Sequence, residues 1–212
     1  MAYRTVLFDF DGTLMDTGKG ITASMAYASK TKGIPLALEQ TWRYIGPPFK
    51  DFLAEEGVAP EDAADMIRLY RSRYFTEGWK LSTPYPGMFE LLDALEAAGI
   101  PAYICTSKPE TITAKMVEEL KINVRGYVGA DDAENRHKKE DIIRLCAARY
   151  GFALDSSAVM IGDAPRDISG GKLCGVSTIG ALYGYGRPEE MLAQHADAYV
   201  RSAAELSALL LG

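Results

Sequence analysis

The chain has 212 residues, 48% hydrophobic and 25% charged, with a formal net charge of -6 at pH 7, ordinary values for a globular protein with room for one domain and a sizeable insertion. The acidic balance, with no basic run interleaved with aromatics, argues against a nucleic-acid partner. No stretch approaches spanning length, and Met1-Ala2-Tyr3-Arg4 leads straight into an apolar run without a signal or transit segment, so a cytoplasmic chain with no membrane partner is expected.

Thr5 to Phe8 is a β-branched and aromatic run too short for a helix, and it predicts a buried strand that ends on Asp9. Asp9 and Asp11, two residues apart on extended chain, point into one small volume, and Gly12 then lets the backbone turn. Acids held that close repel unless a cation lies between them or one keeps a proton, so the stretch reads as a metal site combined with an acid/base.

From about 16 to 82 the pattern is helical. Ile21 to Lys32 lacks Pro and Gly and stops at Gly33, and a short helix fits between Asp51 and Gly57. Glu61 to Gly78 repeats Ala63, Met66, Ile67, Tyr70 and Tyr74 at helical steps, with Glu61 and Asp62 in its first turn. Ser82-Thr83-Pro84-Tyr85-Pro86-Gly87 interrupts this unit as a linker.

Strand and helix then alternate. Met88, Leu91, Leu92 and Leu95 form a stripe before Gly99, Ala102 to Thr106 is a strand, and Pro109 is placed at the first position of the next helix. Tyr127 to Ala130 is a weaker strand, Ile142 to Tyr150 a helix closed by Gly151, Ala158 to Ile161 a strand, Pro165 to about Cys174 a helix, and Val176 to Gly180 a strand. Ser202-Ala203-Ala204-Glu205 is a capping box. The expected fold class is α/β, a doubly wound, Rossmann-like parallel sheet with helices on both faces formed by 1–15 and 83–212, with a helical domain, 16–82, inserted. In such sheets ligands bind beyond the carboxyl ends of the strands, where the strand order reverses. Asp9, Asp11, Thr106, Ser107, Asp131, Asp132 and Asp163 stand at those ends and are expected to converge. Cys105, Cys146 and Cys174 are scattered without a Cys-x-x-Cys pair and read as core residues, and His195 reads as a surface residue.

Asp9-x-Asp11-Gly12-Thr13 after a strand, Thr106 after a second, a lysine within His137-Lys138-Lys139-Glu140-Asp141, and Gly162-Asp163-Ala164-Pro165-Arg166-Asp167 after a third occur in that order. Together they resemble the motifs of the haloacid dehalogenase-like hydrolases, and the chain is similar to their phosphoglycolate phosphatase-like members with a helical cap. The resemblance implies a Mg²⁺-dependent phosphatase acting on a small phosphorylated metabolite, as a monomer or homodimer. On it, Asp9 is the nucleophile, a role for which carboxylates are suited, and Asp11 is the general acid/base that also offers its carbonyl to the metal. Thr106 holds a phosphoryl oxygen, with Gly12, Thr13, Ser107, Lys108 and the cap-loop Gly46 on the substrate. Asp9, Asp11, Asp163 and Asp167 are the metal set, Asp163 directly and Asp167 through water or as an orienting partner. The motif departs from the usual Lys-Pro form, which leaves two lysines to choose from; counting back from the helix pattern Glu140-Asp141-Ile142-Ile143 prefers Lys139, with Lys138 second. Rival readings are a phosphoglucomutase-like phosphotransferase, disfavoured because Phe49 stands where that chemistry needs a cation, and a non-catalytic phosphate-binding module.

Overall fold

The computed structural model describes residues 3–38, 45, 49–131, 136 and 138–212; the expected positions Gly46, Asp132 and His137 lie outside them. Its elements in chain order are β1 (Thr5–Phe8), β2 (Met15–Asp16), α1 (Gly18–Lys32), α2 (Phe49–Glu55), α3 (Pro60–Thr76), a 3-10 turn (Gly78–Leu81), β3 (Thr83–Pro84), α4 (Met88–Ala97), β4 (Ala102–Pro109), α5 (Glu110–Glu119), β5 (Gly126–Ala130), α6 (Lys139–Tyr150), β6 (Ala158–Gly162), α7 (Pro165–Leu173), β7 (Ser177–Ala181), α8 (Pro188–Leu192), β8 (Ala198–Val200) and α9 (Ala203–Leu211). The chain divides into two compact units, Met1–Met15 with Pro84–Gly212, and Asp16–Thr83.

The first unit is a six-stranded sheet in the order β5-β4-β1-β6-β7-β8, every neighbouring pair parallel. Val6 of β1 pairs with Ala102 on one side and Val159 on the other. The chain thus builds outward from β1 through β4 to β5, then returns to lay β6 against the free side of β1. That reversal makes the end of β1 the place where an open α/β sheet receives its ligand. All four residues of β1 are buried, as a central parallel strand requires. Leu7, Cys105, Val128 and Met160 from four adjacent strands pack with Ile142, Ile143 and Cys146 of α6 into one core cluster. The three cysteines are free and buried.

Three local features depart from expectation. Pro109 is not the first helical residue: it ends β4 with φ -53° and ψ 134°, and α5 starts at Glu110. The reason is a bulge, since Cys105 pairs with Val128 and Pro109 with Ala130, leaving Thr106 to Lys108 opposite the single residue Gly129. A Cβ on Gly129 would stand 2.6 Å from the Lys108 carbonyl and from the Glu110 Cα, so the bulge seats only on a glycine. At α9, the Ser202 hydroxyl accepts from the Glu205 N–H as foreseen, but the Glu205 carboxylate returns to the Arg201 N–H, one residue before the cap. The helix α8 and the edge strand β8 had no counterpart in the sequence reading.

The second unit packs α1 on α3 around Met25, Met66 and Tyr74, all almost fully buried. Phe49, at the start of α2, sets its ring in tilted contacts with Tyr70 at 4.8 Å and Phe52 at 6.0 Å between centroids. Lys32, in the last turn of α1, reaches Asp62 at 2.9 Å and Asp65 at 3.0 Å on α3. Among the described residues no helix is long and apolar enough to cross a membrane.

Candidate active site

The site grows from the turn after β1. The Phe10 carbonyl accepts the N–H groups of Leu14 and Met15 at 3.1 and 3.0 Å, and Gly12, at φ 82°, donates back to the Met15 carbonyl. Gly12 needs to be glycine for a second reason: a Cβ there would collide with the carboxylate of Asp163, so strand β6 delivers its acid against bare backbone. Asp9, anchored by its N–H to Ile161, turns one carboxylate oxygen onto the Phe10 N–H at 2.8 Å.

Asp9, Asp163 and Asp167 are buried together, each offering an oxygen within 4.8 Å of the others. Lys139, from the first turn of α6, lies among them, 3.0 Å from Asp9 and 2.8 Å from Asp167, and donates to the Cys105 carbonyl at 2.9 Å. The contacts with the two acids are ion pairs, and the one with Cys105 is a hydrogen bond. Gly170 makes the approach possible, because a Cβ on it would sit 2.7 Å from that of Lys139. Lys138 caps the same helix and is exposed, so of the two lysines only Lys139 reaches the acids.

The electrostatics follow from burial. Desolvation works against the Asp9 charge, but Lys139, Arg166, the Thr106 hydroxyl and the Phe10 N–H outweigh it and hold the carboxyl below its usual range. Burial, then Asp167 and Asp9, push the Asp163 carboxyl up to about 7. Burial and Asp9 raise Asp167 as well, against the pull of Lys139 and Arg166. Lys139 is itself raised, because Asp167 and Asp9 overcome its desolvation. Three acids thus face two cations, and the imbalance pushes Asp163 toward its protonated form. Arg166 was not singled out from the sequence, although it lies inside the Gly-Asp-x-x-x-Asp stretch; its buried Nε has no hydrogen-bond partner among the described residues.

The hard oxygen donors suit Mg²⁺, which is held by one or two carboxylates and completes its octahedron with water and phosphate. Asp9 and Asp163, buried with carboxylate oxygens within 4.8 Å of one another, are a donor set that fits such an ion. Asp167, whose other oxygen accepts from the Ala164 N–H at 2.9 Å, is committed to Lys139 and to the start of α7. Thr13 donates its hydroxyl to Asp163 at 3.1 Å.

The bulge of β4 supplies the far side. Thr106 is buried and its hydroxyl accepts from the Lys108 N–H at 3.2 Å, with half-buried Ser107 between them. Lys108 reaches the Asp11 carboxylate at 3.0 and 3.2 Å, so that carboxylate is not part of the three-acid cluster. Asp131, at the end of β5, does not join the cluster either, for β4 separates its strand from β1. His195 is exposed as expected.

The loop after β7 proves to be part of the site. The Tyr185 N–H donates to Asp163 at 2.8 Å, and the Tyr183 hydroxyl donates to the Thr13 carbonyl at 3.0 Å. Burial, then Asp163 and Tyr85, raise the Tyr183 hydroxyl, which keeps its proton for that bond. A Cβ on Gly184 would strike Asp163 and the Gly12 carbonyl, so this loop lies flush on both.

The chain matches the haloacid dehalogenase-like hydrolase family over residues 6–181. It is 31% identical over 214 residues to a 5'-nucleotidase of Pseudomonas aeruginosa, spanning 99% of this chain and 96% of that one. It is 30% identical over 232 residues to the phosphoglycolate phosphatase of Escherichia coli, with 96% and 90% covered. Tyrosine-protein kinase PtkA of Mycobacterium tuberculosis is 31% identical over 189 residues, which take 88% of this chain but 64% of the relative. The crystal structure of a predicted phosphatase from Clostridium acetobutylicum aligns with a TM-score of 0.91 at 31% identity, covering 100% of this chain and 99% of the other. Sequence, fold and the cluster at the end of β1 agree, and the chain belongs to the haloacid dehalogenase-like hydrolases.

Proposed function

We propose that this chain is a Mg²⁺-dependent phosphomonoester hydrolase that acts on a small phosphorylated metabolite through a phosphorylated Asp9, in the cytoplasm. The observation that carries the reading is Asp9 itself: a buried carboxylate kept ionised by Lys139, at the strand end where the sheet order reverses, beside two further acids. An ionised carboxylate can attack phosphorus, displace the ester oxygen and be released by water. Asp11 is the acid that protonates the departing oxygen and then the base that takes a proton from the water. Thr106 and the backbone of the bulge hold the phosphoryl oxygens. Asp163 and Asp9, with the Asp11 carbonyl, would hold Mg²⁺, which supplies positive charge against the phosphoryl group when bound. Lys139, ion-paired with Asp9 and Asp167 and hydrogen-bonded to the Cys105 carbonyl, keeps the nucleophile aimed and charged.

Hydrolysis is preferred to phosphoryl shuttling. A mutase needs a cation for the phosphate that is not reacting, and Phe49 is buried in the aromatic packing of the helical unit. The relatives' names make nucleoside 5'-monophosphates and phosphoglycolate the first substrates to try. The test is phosphate release from a panel of phosphorylated metabolites with Mg²⁺ and with chelator. Release from at least one monoester, lost in chelator and in Asp9→Asn, is expected; full activity in chelator would sink the mechanism.

A further inference from the structure

The bulge in β4 has a use that the phosphatase chemistry above does not assign. It turns Lys108 back toward β1, where the side chain is 4% exposed and grips Asp11, itself 12% exposed, through both carboxylate oxygens at 3.0 and 3.2 Å. Two further contacts fix the ammonium end and the backbone beneath it. The Nζ stands 5.7 Å from the centre of the buried Phe10 ring, within cation–π range, and the Lys108 N–H is tied to the Thr106 hydroxyl. Gly129 is bare beneath the Lys108 carbonyl, so the bulge cannot slide along β5 without a collision. Strand, ring and hydroxyl therefore over-determine where this one ammonium lies.

We propose that Lys108 is the positioning residue for Asp11, setting which carboxyl oxygen faces the leaving group. This rests on the phosphatase reading. In the first step the Asp9 oxygen bonds to phosphorus, the ester P–O bond breaks, and its electron pair goes to the leaving oxygen, which takes the proton of Asp11. The water that then splits the aspartyl phosphate returns a proton to Asp11. In both forms Asp11 keeps at least one unprotonated oxygen for Lys108, so the grip survives the cycle while the other oxygen does the proton transfer. A freely turning carboxyl would lose that alignment, and misplacement of a catalytic group by about 1 Å costs on the order of 100-fold.

The test uses the leaving group as the readout. An alkyl phosphate needs its leaving oxygen protonated, whereas p-nitrophenyl phosphate does not, and kcat/KM reports only steps up to the first irreversible one. In Lys108→Met, or in Lys108→Gln where the first does not fold, kcat/KM for glycerol phosphate relative to p-nitrophenyl phosphate should drop about 10-fold or more, within the range general acid catalysis supplies. In an Asp11→Asn background the same change should leave that ratio within about twofold, because residues acting as a unit are not additive. Equal losses on both substrates in an otherwise active enzyme would show Lys108 serving the phosphoryl group or the fold, and would overturn the proposal alone. A fall of the ratio undiminished in the Asp11→Asn background would overturn it too. Wild-type protein that releases phosphate from no monoester would instead remove the phosphatase reading, and this proposal with it.

Discussion

Each unit of the protein sets one lysine between two acids, and the two arrangements behave as opposites. In the helical unit Lys32 reaches Asp62 and Asp65 at 2.9 and 3.0 Å with side chains 25% to 45% exposed. In the α/β unit Lys139 reaches Asp167 and Asp9 at 2.8 and 3.0 Å with side chains no more than 4% exposed. The distances are alike, but the solvent is not. Water screens the first group, so it fastens α1 to α3 weakly. Taking the second group out of water costs several kcal/mol per ion, roughly as much as the pairing returns. A fold has no reason of stability to build it, and the same charges are needed where a phosphoryl group is to be attacked.

The largest way to break the comparison is Asp9→Asn, expected to lower turnover about 10⁴-fold or more, the scale for loss of a nucleophile. Its thermal transition should stay close to that of the wild type, because the isosteric amide still fills the site. A variant that keeps comparable turnover would mean that another carboxylate attacks. Next comes Lys139→Ala. It leaves Asp9 and Asp167 buried without their counter-charge, and should destabilise the protein by about 3–5 kcal/mol in urea melts and abolish most activity. Lys138→Ala, on the exposed cap of the same helix, should change turnover by less than about twofold, as surface substitutions do. The reverse order would move the role by one residue.

Asp163 gives a prediction of intermediate size with a definite sign. Its folded carboxyl is raised from the ordinary 3.8 to about 7, so its contribution to stability is full below the unfolded value and is lost as pH rises through the folded one. In chelator the wild type should therefore lose stability relative to Asp163→Asn between about pH 4 and pH 7. Mg²⁺ competes with that proton and should raise the melting temperature more at pH 8 than at pH 5. Parallel melting curves for the two proteins across this range would show that Asp163 carries no strain. The smallest effect belongs to the exposed triad: Lys32→Ala should shift the melting temperature by less than about 2 °C, and less still in high salt.

The sheet was legible where strands are central. Val6 to Phe8 and Ala158 to Ile161 are unbroken apolar runs because both of their faces are covered, and each leads within two residues to the acid it delivers. The edge strand Ala198–Val200 has three residues, only one of them fully buried, and carries no such signature. The lysine of the third motif could be placed by counting back along α6, since the phase of Ile142 and Ile143 puts position 139 inside. The β4 bulge could not be found this way. Thr-Ser-Lys-Pro reads as a strand end followed by a helix start, and only pairing with β5 reveals that Gly129 faces three residues. Lys108 was expected to face substrate; that it grips Asp11 depends on this register. The tie between Tyr185 and Asp163 joins backbone to side chain across two strands, a contact that no residue-type pattern encodes.

The place of β1 in the sheet also bears on how the protein is made. It pairs with β4 and β6, whose partner residues Ala102 to Ile104 and Ala158 to Ile161 leave the ribosome long after it. At about 5–20 residues per second, the last of them follows by roughly ten to thirty seconds. Until β4 arrives both hydrogen-bonding edges of this buried strand are open, and one stays open until β6 follows, the condition in which strands pair with the wrong chain. The inserted helical unit is complete by Thr83, before β4 and β6 are made. Asp9 and Asp163 meet only when β6 arrives, and the site is among the last parts of the molecule to form.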